Sequence, residues 1–290
     1  FEDRPTLLDV TRLFTDDGYR EFKLKKVTNA VVKNWWEKTY NSMWDREKQE
    51  IIPYFSSKFV SFNTNRLIRN IIWQTKSAFH FDDIMNNQKI LLINLSKGKI
   101  WEMNAQLLGM IIVSKVYNSA MARASIPEKD RKDFYLYVDE FQNFVSWTFA
   151  DILSEARKYR LWLVVAHQYT DQLKQEGLGG NLDLSKTIFG NIWNMFVYKV
   201  WAPDAEFLAK EFEPEFNQTD LTSTEAFMGA CKISVNNQQT RPFSFKAKIP
   251  YDLPAKNSPE KVQIIKQISA LKRWTKRELV DKEVYYRVGV

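Results

Sequence analysis

Two apolar runs decide the fold of this chain: FYLYVDEFQNF at residues 134–144 and LWLVVAHQ at residues 161–168. Each run has the length and the β-branched and aromatic content that are typical of a buried strand. Polar residues follow both runs, with Asp139 and Glu140 after the first and Gln168 after the second. Open α/β sheets bind ligands at the carboxyl ends of their strands, so the sequence predicts a functional site at this edge.

Carboxylates at a strand end suit phosphoryl transfer from a nucleoside triphosphate, which needs a Mg²⁺ shell and a group that activates water. We expect Asp139 to hold Mg²⁺ through water and Glu140 to act as the base. Gln168 would sense the γ-phosphate or orient the water, and either Arg157 or Arg160 would reach a phosphate in a neighbouring subunit. The Asp-Glu pair is unspecific by itself, since many strands end in solvated acids.

Three segments resemble the Walker B, arginine-finger and sensor segments of the hexameric DNA-pumping ATPases of the HerA/FtsK class: VDEFQNF (138–144), LSEARKYR (153–160) and AHQYTDQL (166–173). Within that class, the chain is most similar to the coupling-protein ATPases of bacterial conjugation and type IV secretion. The likeness extends through KILLINLSKGKI upstream and IFGNIWNMFVYKVWAPDAEFLAKEF downstream, and it covers roughly residues 85–225.

The resemblance implies site residues, cofactors and partners. Asp139 and Glu140 match the Walker B pair, Gln168 matches the sensor glutamine, and Arg157 matches the finger. ATP and Mg²⁺ would be the substrate and cofactor. DNA, identical subunits in a hexameric ring, and secretion-system or relaxosome proteins would be the partners. The protein would be cytoplasmic, at the cytoplasmic face of the inner membrane, with any membrane anchor in an N-terminal part outside this chain.

The implied fold class is α/β, with an incomplete RecA-like P-loop NTPase core whose mostly parallel sheet is flanked by helices. An N-terminal all-α segment, residues 1–85, would be part of an insertion domain. Residues 86–252 would form the C-terminal part of the ATPase core, and residues 253–290 a charged helical tail.

Local patterns predict further elements of this fold. We expect a buried strand at residues 89–95, and strands or edge strands at 194–200, 229–235 and 243–249. An amphipathic helix is expected at 105–123 and a charged helix at 260–272, while Pro53 should end a helix. Aromatic residues of 29–44 lie on one helical face, which favours a core stripe.

A phosphate-binding loop of the form G-x-x-x-x-G-K-[ST] is missing from the sequence. The only Gly-Lys pair is Gly98-Lys99, and Ile100 follows it. In the family this loop lies well N-terminal to Walker B. We therefore interpret the chain as the C-terminal part of a longer ATPase and expect the fragment alone to be inactive.

The composition fits a polyanionic partner. Lys and Arg number 42 against 35 Asp and Glu, giving a net charge of +7 and a pI near 9.2. Such a balance suits DNA or a negatively charged membrane face. The single cysteine, Cys231, excludes an internal disulfide and suits the cytosol.

Three residues depart from the family pattern or extend it. Trp101 and Trp193 stand where the family would have small residues, so each would narrow a loop near the phosphate edge or fill an interface. Arg241 is a second candidate for the finger, weaker than Arg157.

Two other functions compete with the motor. The chain would be a non-catalytic scaffold if its sheet served only protein docking, but docking requires none of Asp139, Glu140, Arg157 and Gln168 at these spacings. A helicase or a phage DNA-packaging ATPase with the same core is the other alternative. Membrane helices upstream would favour the coupling protein, and a fused nuclease domain would favour packaging.

Overall fold

The computed structural model describes residues 5–6, 8–96, 98, 102–144, 152, 155–177, 180–183, 185–248 and 258–288. The chain divides into two compact units. The first comprises Phe1–His80, Asn94–Ala105 and Ser269–Val290, and the second comprises Phe81–Ile93 and Gln106–Ile268. The last described residues of the chain thus belong to the same compact unit as the first ones.

Helices dominate the first unit and alternate with strands in the second. None of the described helices combines the length and apolarity needed to cross a lipid bilayer. The α-helices are α1 (Leu8–Thr15), α2 (Asp17–Leu24), α3 (Ala30–Asn34), α4 (Asp45–Thr64), α5 (Arg66–Ile72), α6 (Phe81–Asn86), α7 (Glu102–Ala122), α8 (Ser185–Asn191), α9 (Ala202–Phe212), α10 (Gln218–Ser223), α11 (Pro259–Arg273) and α12 (Arg277–Val288).

Short 3-10 and π segments connect or extend these helices. The helices expected at 105–123 and 260–272 are confirmed as α7 and α11. The 3-10 segments are Arg123–Ser125, Glu128–Asp130, Phe141–Phe144, Ala156–Tyr159 and Thr170–Leu173, and one π segment spans Trp35–Tyr40.

The strands form separate small sheets, so the described chain is a mixed α/β structure. Strands β1 and β2 are parallel, β3 pairs antiparallel with β4, β7 pairs antiparallel with β8, and β5, β6 and β9 form an antiparallel sheet in that order. Their bounds are β1 (Phe134–Val138), β2 (Leu161–Val165), β3 (Lys174–Gly177), β4 (Gly180–Asp183), β5 (Met195–Val197), β6 (Met228–Lys232), β7 (Ser234–Val235), β8 (Gln238–Gln239) and β9 (Phe243–Lys246).

A buried ion pair joins α1 and α12 of the first unit. Arg287 donates to Oδ2 of Asp9 at 2.7 Å, and their side chains are 2% and 3% exposed. The same carboxylate accepts the backbone N–H of Thr6 at 2.6 Å. Burial and the nearby Asp9 raise the pKa of Tyr19 to about 12. A buried charge is costly without partners, so these contacts tie both ends of the chain into one core.

The apolar core of the second unit lies between α7 and the β1–β2 pair. It includes Val113 and Val116 of α7, Leu161 of β2, and Phe141 just after β1. A second cluster packs α9 and α10 against the antiparallel sheet. The half-buried faces of β1 and β2 join the first cluster, so this core fixes the two strands that carry the predicted site.

Residues 89–95 do not form the expected strand, which is a correction of the sequence-based prediction. Within the described chain no strand pairs with this run, and its Ile90 and Leu92 are 89% and 84% exposed. An apolar run indicates a strand only when a sheet edge accepts its backbone groups. Apolar content alone therefore misled the prediction at this segment.

Two predictions for the first unit were also wrong. Pro53 lies inside α4 instead of ending a helix, since proline disfavours helix continuation without forbidding it when the surrounding structure packs. Of the expected core stripe in residues 29–44, Trp35 and Trp44 are exposed and Tyr40 is buried. The rings of Trp35, Trp36 and Tyr40 contact one another in the π segment Trp35–Tyr40, whereas Trp44 lies beyond the end of the helix and is exposed.

A pair of glycine variants tests the packing of the antiparallel sheet. A Cβ on Gly229 would lie 2.4 Å from the carbonyl oxygen of Val197, whereas a Cβ on Gly190 would meet nothing within 4 Å. We expect Gly229→Ala to lower the free energy of unfolding by about 1–3 kcal/mol, because β5 must shift. Gly190→Ala, inside α8, should raise it by up to about 1 kcal/mol through helix propensity. Urea unfolding measures both, and equal effects would contradict the described packing of β5 on β6.

Candidate functional site

The site is built on the parallel pairing of β1 with β2. The strands align residue for residue, from Phe134 opposite Leu161 to Val138 opposite Val165. After β2, the backbone N–H of Ala166 still donates to the carbonyl of Val138 at 3.0 Å. The residues that follow each strand therefore leave the sheet at the same edge, as the sequence predicted.

Glu140 occupies a tight turn at this edge. Its φ of 50° lies in the left-handed region, which residues other than glycine enter at a cost of about 1 kcal/mol or more. The turn is held because Phe141 N donates to the carbonyl of Ala166 at 3.1 Å and Asn143 Nδ2 donates to the carbonyl of Glu140 at 2.9 Å. Backbone strain of this kind concentrates at functional sites.

Two amide groups hold the carboxylate of Glu140. Nε2 of Gln168 donates to Oε1 at 2.7 Å, and Nε2 of Gln142 donates to Oε2 at 2.6 Å. The structure thus brings together Glu140 and Gln168, which the sequence had assigned to one site. Gln142 was missed, although its place two residues after Glu140 in a polar turn was the available signal.

Asp139 lies beside Glu140 with its side chain exposed. Its Oδ1 accepts the backbone N–H of Glu140 at 3.0 Å, and its other oxygen receives no hydrogen bond from the described residues. Mg²⁺ prefers carboxylate and water oxygens and keeps several of its waters. An exposed carboxylate with an open oxygen fits a water-mediated contact to this ion.

Arg157 lies at the opposite end of the β1–β2 pair. It belongs to the 3-10 segment that precedes β2, whereas Gln168 follows β2. Five residues of extended chain span about 16 Å, so Arg157 does not reach the carboxylate of Glu140 in its own subunit. The structure therefore separates this predicted finger from the other three predicted site residues.

The guanidinium of Arg157 rests on aromatic rings. Its Cζ is 3.8 Å from the ring centroid of Trp193 and 5.7 Å from that of Trp162. Trp193, for which the sequence left two roles open, is thus a neighbour of Arg157. Arg241 is exposed between β8 and β9, and Trp101 lies outside the described residues.

Arg160, the alternative finger, has structural contacts instead. Its φ of 60° places it in the left-handed region, its carbonyl accepts the N–H of Phe134 at 2.9 Å, and its guanidinium pairs with Asp133 at 3.4 Å. These contacts fix the starts of β1 and β2 beside one another. Arg157 is therefore the better placed of the two candidates to contact another molecule.

Two other arginines hold the segment that carries Arg157. NH1 of Arg123 donates to the carbonyl of Tyr159 at 3.0 Å, and NH1 of Arg131 donates to the carbonyl of Lys158 at 2.5 Å. Arg123 is almost fully buried, and this burial lowers its pKa. Sequence patterns gave no signal for these contacts, because they join side chains to backbone carbonyls more than 25 residues away.

His167, between the end of β2 and Gln168, completes the edge. Its ring contacts that of Phe141 at a centroid distance of 5.4 Å, and its Nδ1 lies 3.2 Å from the carbonyl oxygen of Tyr169. Burial lowers the pKa of His167 below its ordinary value of 6.5. The imidazole is therefore neutral at pH 7.

No protein-family model matches the chain, and no curated protein matches it significantly. The mixed α/β fold and the group of Asp139, Glu140 and Gln168 at one end of the parallel strand pair are therefore the features from which a function can be inferred.

The lowered pKa of His167 predicts an acid-sensitive contribution to stability. The folded protein disfavours the imidazolium, so the contribution is complete above pH 6.5 and is lost as the pH falls through the folded-state pKa. NMR titration should show one imidazole with a midpoint below 6.5, assigned by its absence in His167→Gln. Between pH 7 and pH 5, the free energy of unfolding of His167→Gln should fall less than that of the wild type. A His167 midpoint above 6.5 would contradict the described burial.

Proposed function

We propose that this chain is the C-terminal part of an ATP-driven motor that moves DNA at the cytoplasmic face of a bacterial inner membrane. The motor would resemble the coupling-protein ATPases of conjugation and type IV secretion, with a RecA-like core. The hydrogen bond of 2.7 Å from Gln168 to Glu140 carries the proposal, because it joins a base and a sensing group from adjacent parallel strands. The net charge of +7 supports a polyanionic partner.

The chemical step assigned to this edge is attack of water on the γ-phosphorus of ATP. Glu140 accepts a proton from the water, the new P–O bond forms, and the bond from the γ-phosphorus to the bridging oxygen of ADP breaks. Gln168 and Gln142 hold the carboxylate so that it faces the water without reorienting. Binding of the phosphates requires a loop supplied from outside these 290 residues.

In this proposal, Mg²⁺ would neutralise part of the phosphate charge. Asp139 would hold one of its waters, for which its exposed carboxylate is suited. Asp139 and Glu140 would thus have separate roles. Asp139 would stay with the ion, while Glu140 would accept the proton.

Arg157 would complete the active site of a neighbouring subunit. It lies about 16 Å from the Glu140 edge, so it cannot stabilise the transferring phosphate in its own subunit. Action in trans makes ring assembly a requirement for hydrolysis. The orientation of Glu140 by two amide groups argues against a docking scaffold, because docking does not require an oriented carboxylate.

Loss of the base is the first test. In the full-length protein, Glu140→Gln should lower the ATP hydrolysis rate by about 100- to 10,000-fold, because the amide cannot accept the proton. Nucleotide affinity, measured with a fluorescent ATP analogue, should stay within a few-fold. The control Glu128→Gln removes an exposed carboxylate of the same unit and should leave the rate unchanged. Wild-type hydrolysis by Glu140→Gln would refute the assigned role, and absence of DNA-stimulated hydrolysis in the wild type would refute the motor.

Mixing of subunits tests the finger. Arg157→Ala alone should lower hydrolysis by about a thousandfold or more, the usual effect of losing an arginine finger. Mixed with Glu140→Gln subunits, it should regain part of the rate, because the mixed ring contains interfaces with one intact base and one intact finger. Lys158→Ala, in the same 3-10 segment and exposed, is the matched control and should behave as wild type. Failure of the two inactive variants to complement each other would exclude action in trans.

A further inference from the structure

Trp193 contacts the Arg157 guanidinium, the group that the function proposed above assigns to a phosphate. The Cζ of Arg157 lies 3.8 Å from the Trp193 ring centroid, which is a close cation–π contact. A stacked guanidinium uses its flat face for the ring and keeps its N–H donors, which point outward in its plane, for an anion. Trp193 is itself 45% exposed, so the pair lies at the surface of the unit.

Trp193 is held by a neighbouring hairpin. Its carbonyl accepts Nε2 of Gln239 at 3.3 Å, and the side chain of the next residue, Asn194, accepts the N–H of Ser234 at 2.8 Å. Both donors belong to the β7–β8 hairpin, whose two turn residues, Asn236 and Asn237, have φ values of 52° and 63°. A two-residue turn with both φ positive is the tight type I′ turn, which matches strand twist and fixes register.

We propose that Trp193 is the positioning residue for the arginine finger: it holds the Arg157 guanidinium at the surface with its N–H edge directed at a phosphate of the adjoining subunit. This inference rests on the proposed function. The physical reason is that a free arginine side chain samples many rotamers, and part of this freedom is lost when it contacts the phosphate. Contact with a tryptophan whose backbone is anchored by the hairpin reduces that freedom before the phosphate contact forms.

The size of the effect follows from the strength of such stacking. Loss of a cation–π contact corresponds to a decrease in rate of roughly 2-fold when the contact is exposed and roughly 30-fold when it is partly desolvated. Trp193→Ala in the full-length protein should therefore lower ATP hydrolysis by roughly 2- to 30-fold. Trp193→Phe keeps an aromatic face and should retain most of the rate. The control Phe243→Ala removes a ring that is 44% exposed in the same unit and should leave hydrolysis near wild type.

Two further readouts separate positioning from a general effect on folding. The double variant Arg157→Ala with Trp193→Ala should be no slower than Arg157→Ala, because Trp193 acts through Arg157. Trp193→Ala subunits should also regain hydrolysis when they are mixed with Glu140→Gln subunits. In some interfaces of the mixed ring, the Trp193→Ala subunit supplies an intact Glu140, and the Glu140→Gln subunit supplies an Arg157 held by an intact Trp193. A tryptophan that only stabilised its own subunit would show neither result.

The outcomes distinguish failure of this inference from failure of the proposed function. Wild-type hydrolysis by Trp193→Ala beside an inactive Arg157→Ala overturns the positioning role alone. Further slowing of Arg157→Ala by the second substitution also overturns it, because Trp193 would then act elsewhere. Wild-type hydrolysis by Arg157→Ala overturns the finger itself, and the role of Trp193 falls with it. If Trp193→Ala fails to fold, Trp193→Phe decides, since a rate as low as that of Arg157→Ala would refute stacking as the cause.

Discussion

The parallel pairing of β1 with β2 is the constraint on which the candidate site depends. Two parallel strands in register have a common carboxyl edge and a common amino edge, and side chains placed at one edge cannot reach the other. Asp139, Glu140 and Gln168 follow the strands, whereas Arg157 precedes β2. The polarity of a single strand pair therefore separates Glu140 from Arg157, and the finger role proposed for Arg157 requires a second subunit.

The turn at Glu140 shows how strain is balanced at the carboxyl edge. A φ of 50° is unfavourable for glutamate, yet Phe141 after it is fully buried, and Phe144 packs so closely on α7 that a Cβ on Gly109 would lie 2.1 Å from its ring. Burial of one such aromatic side chain contributes on the order of 2 kcal/mol, which is comparable to the cost of the turn. The backbone is thereby fixed, and the amides of Gln142 and Gln168 then fix the carboxylate.

Sequence reasoning found the elements with strong periodicity and missed those that depend on a partner. Strands β1 and β2 and helix α7 were predicted because an apolar run or an amphipathic stripe reports burial directly. The run at 89–95 was misassigned, since its composition does not show whether a sheet edge is available. Pairing of Glu140 with Gln168 followed from the strand order, but the contact of Arg157 with Trp193 joins a 3-10 segment to a loop 36 residues later in the printed sequence. No local pattern encodes such a contact.

Burial of Arg123 shows that the amino edge is fixed as firmly as the carboxyl edge. Removing a guanidinium from water is costly, and the pKa of Arg123 is lowered by this burial, so the cost must be offset by hydrogen bonds. Its donors reach Asn86 at 3.0 Å and the carbonyls of Lys132 and Tyr159 at 2.9 and 3.0 Å, which lie before β1 and before β2. One buried side chain thus ties the starts of both strands to α6 and α7. The finger role proposed for Arg157 requires such a rigid support, because any motion of the 3-10 segment would be added to that of the side chain.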